Sequence, residues 1–438
     1  MIKPSISSAA SWSAIFACVA VAAAPALLAL TTFSRTPSLT NYLGFAVPIL
    51  VAETLVLIAA LISGMRPVAA LLRLSTLSQI AILIWLSALA YVTIAVAPFG
   101  VAARWFLMIM LVHGLFALAL VDRLSSSWAG LADRLLLAAG WGALTYCILA
   151  YGLLWTIRDA NQFNWVNLGI GVSNVRQLAF YGLTCAAVGA GLVSRFGTPM
   201  QSWASPGNFV LVVVGAGMCI WSGGRAAAGG LILIILFAVS IAPSGRRSRA
   251  ATILIIALLA GTAISMIWLP NEHYGLPRIL NSVQPNQNSV DEFSSGRMAI
   301  WIQTIQFWLG RPWFGYGLGQ FKFLVPTAQL TYTHPHNAPI QFLFQWGLVG
   351  TVAVLVIARR AIFEYARTIR VPGGSAGKIA ICLLTGHGAM SMLEGNLFHT
   401  YPVSIVILAL AVLGSQSREA QALPADDEDG RRRFSLSG

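Results

Sequence analysis

Residues 250–269 read AATILIIALLAGTAISMIWL, an apolar stretch without a charged side chain. As a helix rising 1.5 Å per residue it would be about 30 Å long, the thickness of a bilayer's hydrocarbon core. Arg246, Arg247 and Arg249 stand just before it, and cations crowded at one end of an apolar run mark a cytoplasmic loop. The pattern recurs outward in both directions. Further candidate spans lie at 12–33, 41–64, 77–98, 101–121, 132–155, 177–194, 207–222, 226–243, 338–358, 378–393 and 398–414. The chain has 438 residues, 57% hydrophobic and 9% charged, where soluble domains carry about 25% charged residues. It reads as all-α, a polytopic integral membrane protein of about twelve transmembrane helices.

That composition excludes soluble multidomain, disordered, collagen-like and disulfide-scaffold classes. The formal charge of +13 could suit nucleic acid, but the 27 Lys and Arg punctuate apolar segments and form no basic domain. No nucleic-acid partner is expected. The five cysteines lie inside apolar runs without a CxxC, so they read as small buried hydrophobes. Lys3 and the AAAPA near the end of the first segment resemble a cleaved signal peptide. The length of that run and the spans that follow it favour an anchor.

Placing the N-terminus in the cytoplasm puts eighteen of the 27 cations on the cytoplasmic side. The other nine are Arg35, Arg104, Arg158, Arg176, Arg225, Arg278, Arg297, Arg311 and Lys322. The positive-inside rule then expects an even number of spans and both termini in the cytoplasm. The chain divides into spans one to nine (1–269), a long periplasmic loop (270–337), the last three spans (338–414) and a solvated, disordered cytoplasmic tail (415–438) carrying Asp426, Asp427, Glu428 and Asp429 before three arginines. Long loops are commonly functional. In this one, Asn281–Ser295 is polar and turn-rich, and Trp301, Ile305 and Trp308 recur at i, i+4 and i+7. The spacing predicts an amphipathic helix lying on the membrane surface, with Trp at headgroup level. A shorter loop, Thr156–Arg176, faces the same side.

Cations on the translocated side need a reason. Arg225 follows Ser222-Gly223-Gly224 in a tight link, where it either anchors at the interface or lines a polar cavity. Arg297 opens the amphipathic segment, and Arg176 and Arg158 lie in the other loop. The acids of this side, Asp159, Glu272, Asp291, Glu292 and Glu394, do not pair these arginines in a clear pattern. Arginines so gathered suit a phosphate or pyrophosphate, which the planar guanidinium holds in a bidentate manner.

His334 and His336 lie in Tyr332-Thr333-His334-Pro335-His336-Asn337, before the tenth span. Imidazole titrates near neutrality, so His336 is a candidate general base on a sugar hydroxyl. The alternative is a polar turn capping a helix, with Pro339 in its first turn. A two-histidine metal site has no third ligand at a recognisable spacing, so no metal and no cofactor are expected. Gly315-Tyr316-Gly317-Leu318-Gly319 reads as a turn, or as amides presented to a phosphate. Gly347 and Gly350 read as permitting close helix contact.

These residues resemble the bacterial O-antigen ligase and polymerase superfamily. Its ligases carry a His-Asn pair, nine residues and Gly-x-x-Gly where the long periplasmic loop meets a membrane helix. Here His336-Asn337 precedes Gly347-Leu348-Val349-Gly350 by that spacing. Arg297-Met298-Ala299-Ile300-Trp301, the stretch Arg311 to Gly317, and Ser222 to Arg225 are similar to the family's loop and short periplasmic link. The resemblance implies a metal-independent, inverting glycosyltransferase of the bacterial inner membrane, with its active site facing the periplasm. The donor would be a glycan on undecaprenyl pyrophosphate, the acceptor a lipid A-core sugar or a growing glycan, and membrane lipid the surroundings. By the same resemblance His336 would activate the acceptor, Arg225 and Arg297 would hold the leaving pyrophosphate, and Arg176, Arg311 and Asn337 would bind substrate. Glu394 and His399 stand where members that glycosylate protein or polymerise repeats can carry polar residues. Rival readings are a repeat-unit polymerase for O-antigen or exopolysaccharide, a protein O-glycosylating enzyme, and a transporter or flippase. The last is disfavoured because no internal repeat is seen, although Glu53, Arg104 and His113 lie within or near spans.

Overall fold

A computed structural model describes residues 8–32, 39–125, 130–156, 170–172, 174–195, 206–270, 274–281, 297–328, 332–368 and 375–422. Among them there is no strand. The chain runs through α1 (Ser8–Thr32), α2 (Leu39–Ile62), the short α3 (Pro67–Leu72) and α4 (Thr76–Tyr91), which widens into a π-helical turn at Val92–Val96. Next come α5 (Gly100–Ser125), α6 (Leu131–Trp155), α7 (Leu178–Arg195), α8 (Pro206–Trp221), α9 (Arg225–Ser240) and α10 (Arg247–Ser265). The expected long loop holds α11 (Gly275–Asn281), α12 (Arg297–Gly310) and α13 (Phe321–Leu324), before α14 (Ala338–Thr368), α15 (Ser375–Ser391) and α16 (Thr400–Ala422). The polar stretch at 282–296, most of the loop at 157–169, and the acidic tail beyond 422 lie outside the described residues.

The protein is an all-α polytopic membrane protein. Among the described residues, eight helices are long and apolar enough to cross a membrane by length and composition, and Pro206–Trp221, Arg225–Ser240 and Thr400–Ser415 are shorter apolar helices. Helices suit this setting because every backbone group inside hydrocarbon must find its partner within the segment. Large apolar side chains also line the outer surface of the helices, and some ionisable ones lie inside. Leu83, Ile94, Leu236 and Leu259 are exposed, whereas Glu53, His113 and His387 are buried. The segment expected at 378–393 falls on α15, which belongs to neither class of apolar helix. It packs against α7, α9 and α16, where His387 and Ser391 are shielded. Buried α7 forms the middle of the bundle. A Cβ on its Gly182 would come within 2.8 Å of the Gly215 carbonyl on α8, so small residues let these backbones touch.

The long loop packs Ile300, Phe321 and Val325 against Phe344 of α14 in a small buried core. It clasps α14 where that helix breaks at Gly347, whose φ is 61° and ψ −168°. The break frees backbone groups that need new partners. Tyr316 and Gly317 donate their N–H groups to the carbonyls of Phe344 and Gln345, at 2.8 and 3.0 Å. In return, Leu348 and Val349 donate to Pro312 and Trp313. The glycine-rich stretch therefore turns two of its amides toward the broken helix. Gly347 admits the loop rather than another helix, since a Cβ there would lie 2.3 Å from the Trp313 carbonyl.

The Trp301 stripe lies on α12, whose face buried against the protein carries Ile300 and Thr304. The Trp301 and Trp308 indoles turn back to donate N–H to the carbonyls of Pro335 and Pro312. Ile302, Ile305 and Leu309 form the exposed side. Indole carries a donor that seeks an acceptor, and here the loop backbone supplies one.

Candidate active site

Glu394, in the link between α15 and α16, is 8% exposed and joins two of the residues singled out from sequence. Its Oε1 accepts from Arg297 Nη2 at 2.7 Å, and its Oε2 lies 3.2 Å from His336 Nδ1. Arg297 also donates to the Leu393 carbonyl. Burial acts to raise the Glu394 pKa, but the His336 hydrogen bond and the charges of Arg297, His336 and Arg176 outweigh it and hold the carboxyl at about 2. An ionised carboxylate only accepts, so Nδ1 of His336 is the donor. In the neutral imidazole this leaves the lone pair on Nε2.

His336 is held from several sides. It has a φ of 56°, the single positive value outside glycine among the described residues. Such backbone is strained for a side-chain-bearing residue and persists where its surroundings over-determine it. The His336 amide donates to Nδ1 of His334 at 3.2 Å, and the two rings lie 4.3 Å apart. His334 is buried, and burial, helped by the charges of His336, His399 and Arg297, pushes its pKa well below the usual imidazole value. Neutral His334 thus presents a lone pair to the strained amide.

Asn337 caps α14 by accepting the Ile340 N–H at 3.0 Å, while its Nδ2 donates to the Met392 carbonyl. Each end of this amide makes one bond within the protein, so Asn337 fixes the start of α14 beside His336.

Arg297 and Arg225 are the first residues of α12 and α9. Arg176 lies in a 3-10 turn before α7, where the Asn174 side chain accepts its backbone N–H. The charges of Arg225, Arg297 and Glu394 act on Arg176, and those of Arg297 and Glu394 act on Arg225. Three arginines called from sequence therefore meet in one electrostatic neighbourhood. Two of them stand at the positive ends of helices, an arrangement unfavourable by itself and favourable around an anion. Arg311 is placed elsewhere. Its guanidinium lies 5.0 Å from the centre of the Tyr316 ring and 3.4 Å from the Val96 carbonyl. Arg158 lies outside the described residues.

Sequence reasoning put Glu394 on this side without joining it to Arg297 and His336. Its signal was a lone acid in Leu393-Glu394-Gly395-Asn396 on the arginine-rich face. His399 was likewise noted but not assigned. Its Nε2 lies 3.1 Å from Gln177 Nε2, beside Arg176, and its ring is 5.6 Å from His334. Among the described residues, no group of three His, Cys, Asp or Glu side chains could hold a metal ion. The arrangement offers an oriented imidazole next to a cluster of guanidinium groups.

Residues 210–355 match the family described as O-Antigen ligase. The match includes Arg225, Arg297, Arg311, His336 and Asn337, and Arg176 and Glu394 lie outside it. No curated protein matches the chain.

Proposed function

We propose that this chain, whose residues 210–355 match the O-Antigen ligase family, belongs to the O-antigen ligase and polymerase superfamily and moves a glycan from undecaprenyl pyrophosphate to a lipid A-core sugar. The observation that carries this reading is the bridge of Glu394 between Arg297 and His336, with the charges of Arg176 and Arg225 beside it.

A glycosyl pyrophosphate is already activated, so the enzyme's work is to position it and to neutralise developing charge. Nε2 of His336 takes the proton of the acceptor hydroxyl as that oxygen bonds to the anomeric carbon. The bond from that carbon to the pyrophosphate oxygen breaks, and the negative charge it leaves falls among the arginines. Attack from the side opposite the leaving group inverts the anomeric centre. Glu394 stabilises the imidazolium and keeps Nδ1 from serving as the base, the part a carboxylate plays in triads. The guanidinium groups supply the positive charge that a metal would otherwise bring.

In this reading all twelve apolar segments cross the inner membrane and both termini are cytoplasmic. The loop at 270–337 covers the site in the periplasm. The test is a lipopolysaccharide gel of a deletion strain beside its parent. Core-only lipopolysaccharide with lipid-linked polymer accumulating is the expected result. Core bearing a single repeat would assign polymerisation instead, and an unchanged ladder would remove both O-antigen roles.

A further inference from the structure

A second buried histidine–carboxylate pair takes no part in the proposed reaction. Glu53 on α2 and His113 on α5 are each 2% exposed, and His113 Nδ1 lies 2.8 Å from both carboxylate oxygens. Ser404 on α16 donates its hydroxyl to Oε1 of Glu53. Ionisable residues at the middle of apolar spans are costly and mark functional positions by default. Stability alone is a weak reason for such a pair, because apolar packing of the same volume does about as well.

Direct proton exchange with His336 is not what the packing favours. Ala46, Phe106, Ile109 and Phe398 pack in one apolar cluster, with Leu50 against it. This cluster occupies the turns of α2 and α5 between the pair and the loop end. The connection runs through α16 instead. That helix starts at Thr400, directly after His399, and the Val403 N–H donates to the His399 carbonyl. The Phe398 ring lies 5.4 Å from Phe106 and 4.8 Å from His334. His334 in turn accepts the strained amide of His336.

We propose that Glu53 is a positioning residue: paired with His113, it draws the first turns of α16 onto α2 and α5 and so holds Phe398 and His399 behind His334 and His336. The proposal rests on the transferase reading only for its effect on rate, and the placement is testable without any glycan.

The experiment is carbethoxylation of histidines by diethyl pyrocarbonate, read by mass spectrometry on the full chain in lipid nanodiscs. Glu53→Ala is expected to raise labelling of His334 and His399 about tenfold by local opening. His387 is buried and bound through Nε2 to Thr184 on α7, and it should stay protected. Glu53→Gln keeps an acceptor for Ser404 and should restore protection. Ser404→Ala removes one hydroxyl and should raise the same two histidines less, which decides the matter if Glu53→Ala does not accumulate. Unchanged labelling of His334 and His399, or a rise at His387 in step with them, overturns the proposal. In a transfer assay the same opening should lower kcat about tenfold with KM little changed, and an unchanged kcat would overturn the positioning role. Exposure of the two histidines in a chain whose wild type transfers no glycan would refute the transferase reading and leave the placement standing.

Discussion

Oε2 of Glu394 stands 3.2 Å from Nδ1 of His336, and the histidine it meets has a left-handed backbone with a φ of 56°. Such a conformation costs about 1–3 kcal/mol. Four contacts hold it: Glu394 on the ring, His334 on the amide, Trp301 on the Pro335 carbonyl, and the Asn337 cap on the next turn. Three of the four come from groups within two residues of His336 or from the facing helix α12. The fourth comes from Glu394 in the link after α15 and ties the histidine to the arginine cluster.

Glu394→Gln removes the charge and presents an amide that can donate as well as accept, so the tautomer of His336 is no longer fixed. Transfer should fall about 10²–10³-fold, the usual loss for one charge-stabilising group. His336→Asn should lose at least as much while staying folded, because Asn tolerates left-handed backbone. The double variant should be no slower than His336→Asn alone, since residues acting as a unit are not additive. Transfer rates of purified variants, normalised to protein in the membrane, check this. Additive losses would separate the two residues.

Acid should weaken the fold in two stages. His334 is held well below its ordinary 6.5, so the folded state binds fewer protons than the unfolded one. Its contribution is complete above that value and declines as pH falls. Glu394 is held at about 2 against 4.5. Its contribution is complete above 4.5 and is lost as pH falls toward 2. The melting temperature in detergent should hold above pH 6.5, fall between 6.5 and 4.5, and fall more steeply below 4.5. His334→Gln should make the first limb shallower without removing it, since buried His399 is held down at about 3 as well, and Glu394→Gln should flatten the second. A level curve from neutral pH to 4.5 would contradict the first assignment.

Apolar runs were legible because length and hydropathy alone decide which segments can cross a bilayer. The gathering of Arg225, Arg297 and Arg176 was legible because positive-inside sorting puts them on one face. Glu394 was not, since its bonds to Arg297 and His336 bridge 97 and 58 positions, and sequence showed only a shared side. Gly347 misled because the spacing to Gly350 imitates a helix-contact motif, while its positive φ marks a break. The indole N–H bonds of Trp301 and Trp308 to loop carbonyls were not legible, because periodicity says nothing of where a ring's donor finds its acceptor.

The clasp at Gly347 predicts a sharp contrast between glycines. Gly347→Ala combines a φ of 61° with a methyl 2.3 Å from the Trp313 carbonyl. Backbone strain alone costs about 1–3 kcal/mol, and the contact adds to it, so the variant should melt earlier and accumulate poorly. Gly388→Ala meets nothing within 4 Å and lies inside α15, where Ala is favoured over Gly by about 0.5–1 kcal/mol. It should melt at or above the parent's temperature. Equal behaviour of the two variants would mean that the break does not carry the loop.

The arginines should separate into two groups. Arg176, Arg225 and Arg297 act on one another and on Glu394, so losing any one should reduce transfer about 10²-fold or more. Arg311 sits over Tyr316 and against Val96, and Arg311→Ala should cost less than about tenfold. Lysine should rescue Arg225 and Arg297 poorly, because a point charge does not replace a planar fork on a pyrophosphate. Inhibition by inorganic pyrophosphate gives an independent reading of the same charges. The wild type and Arg311→Ala should be inhibited at similar concentrations, while Arg225→Ala and Arg176→Ala should need much more. If Arg311→Ala loses both transfer and pyrophosphate inhibition while Arg225→Ala keeps them, the anion site lies under the Tyr316 turn instead of beside Glu394.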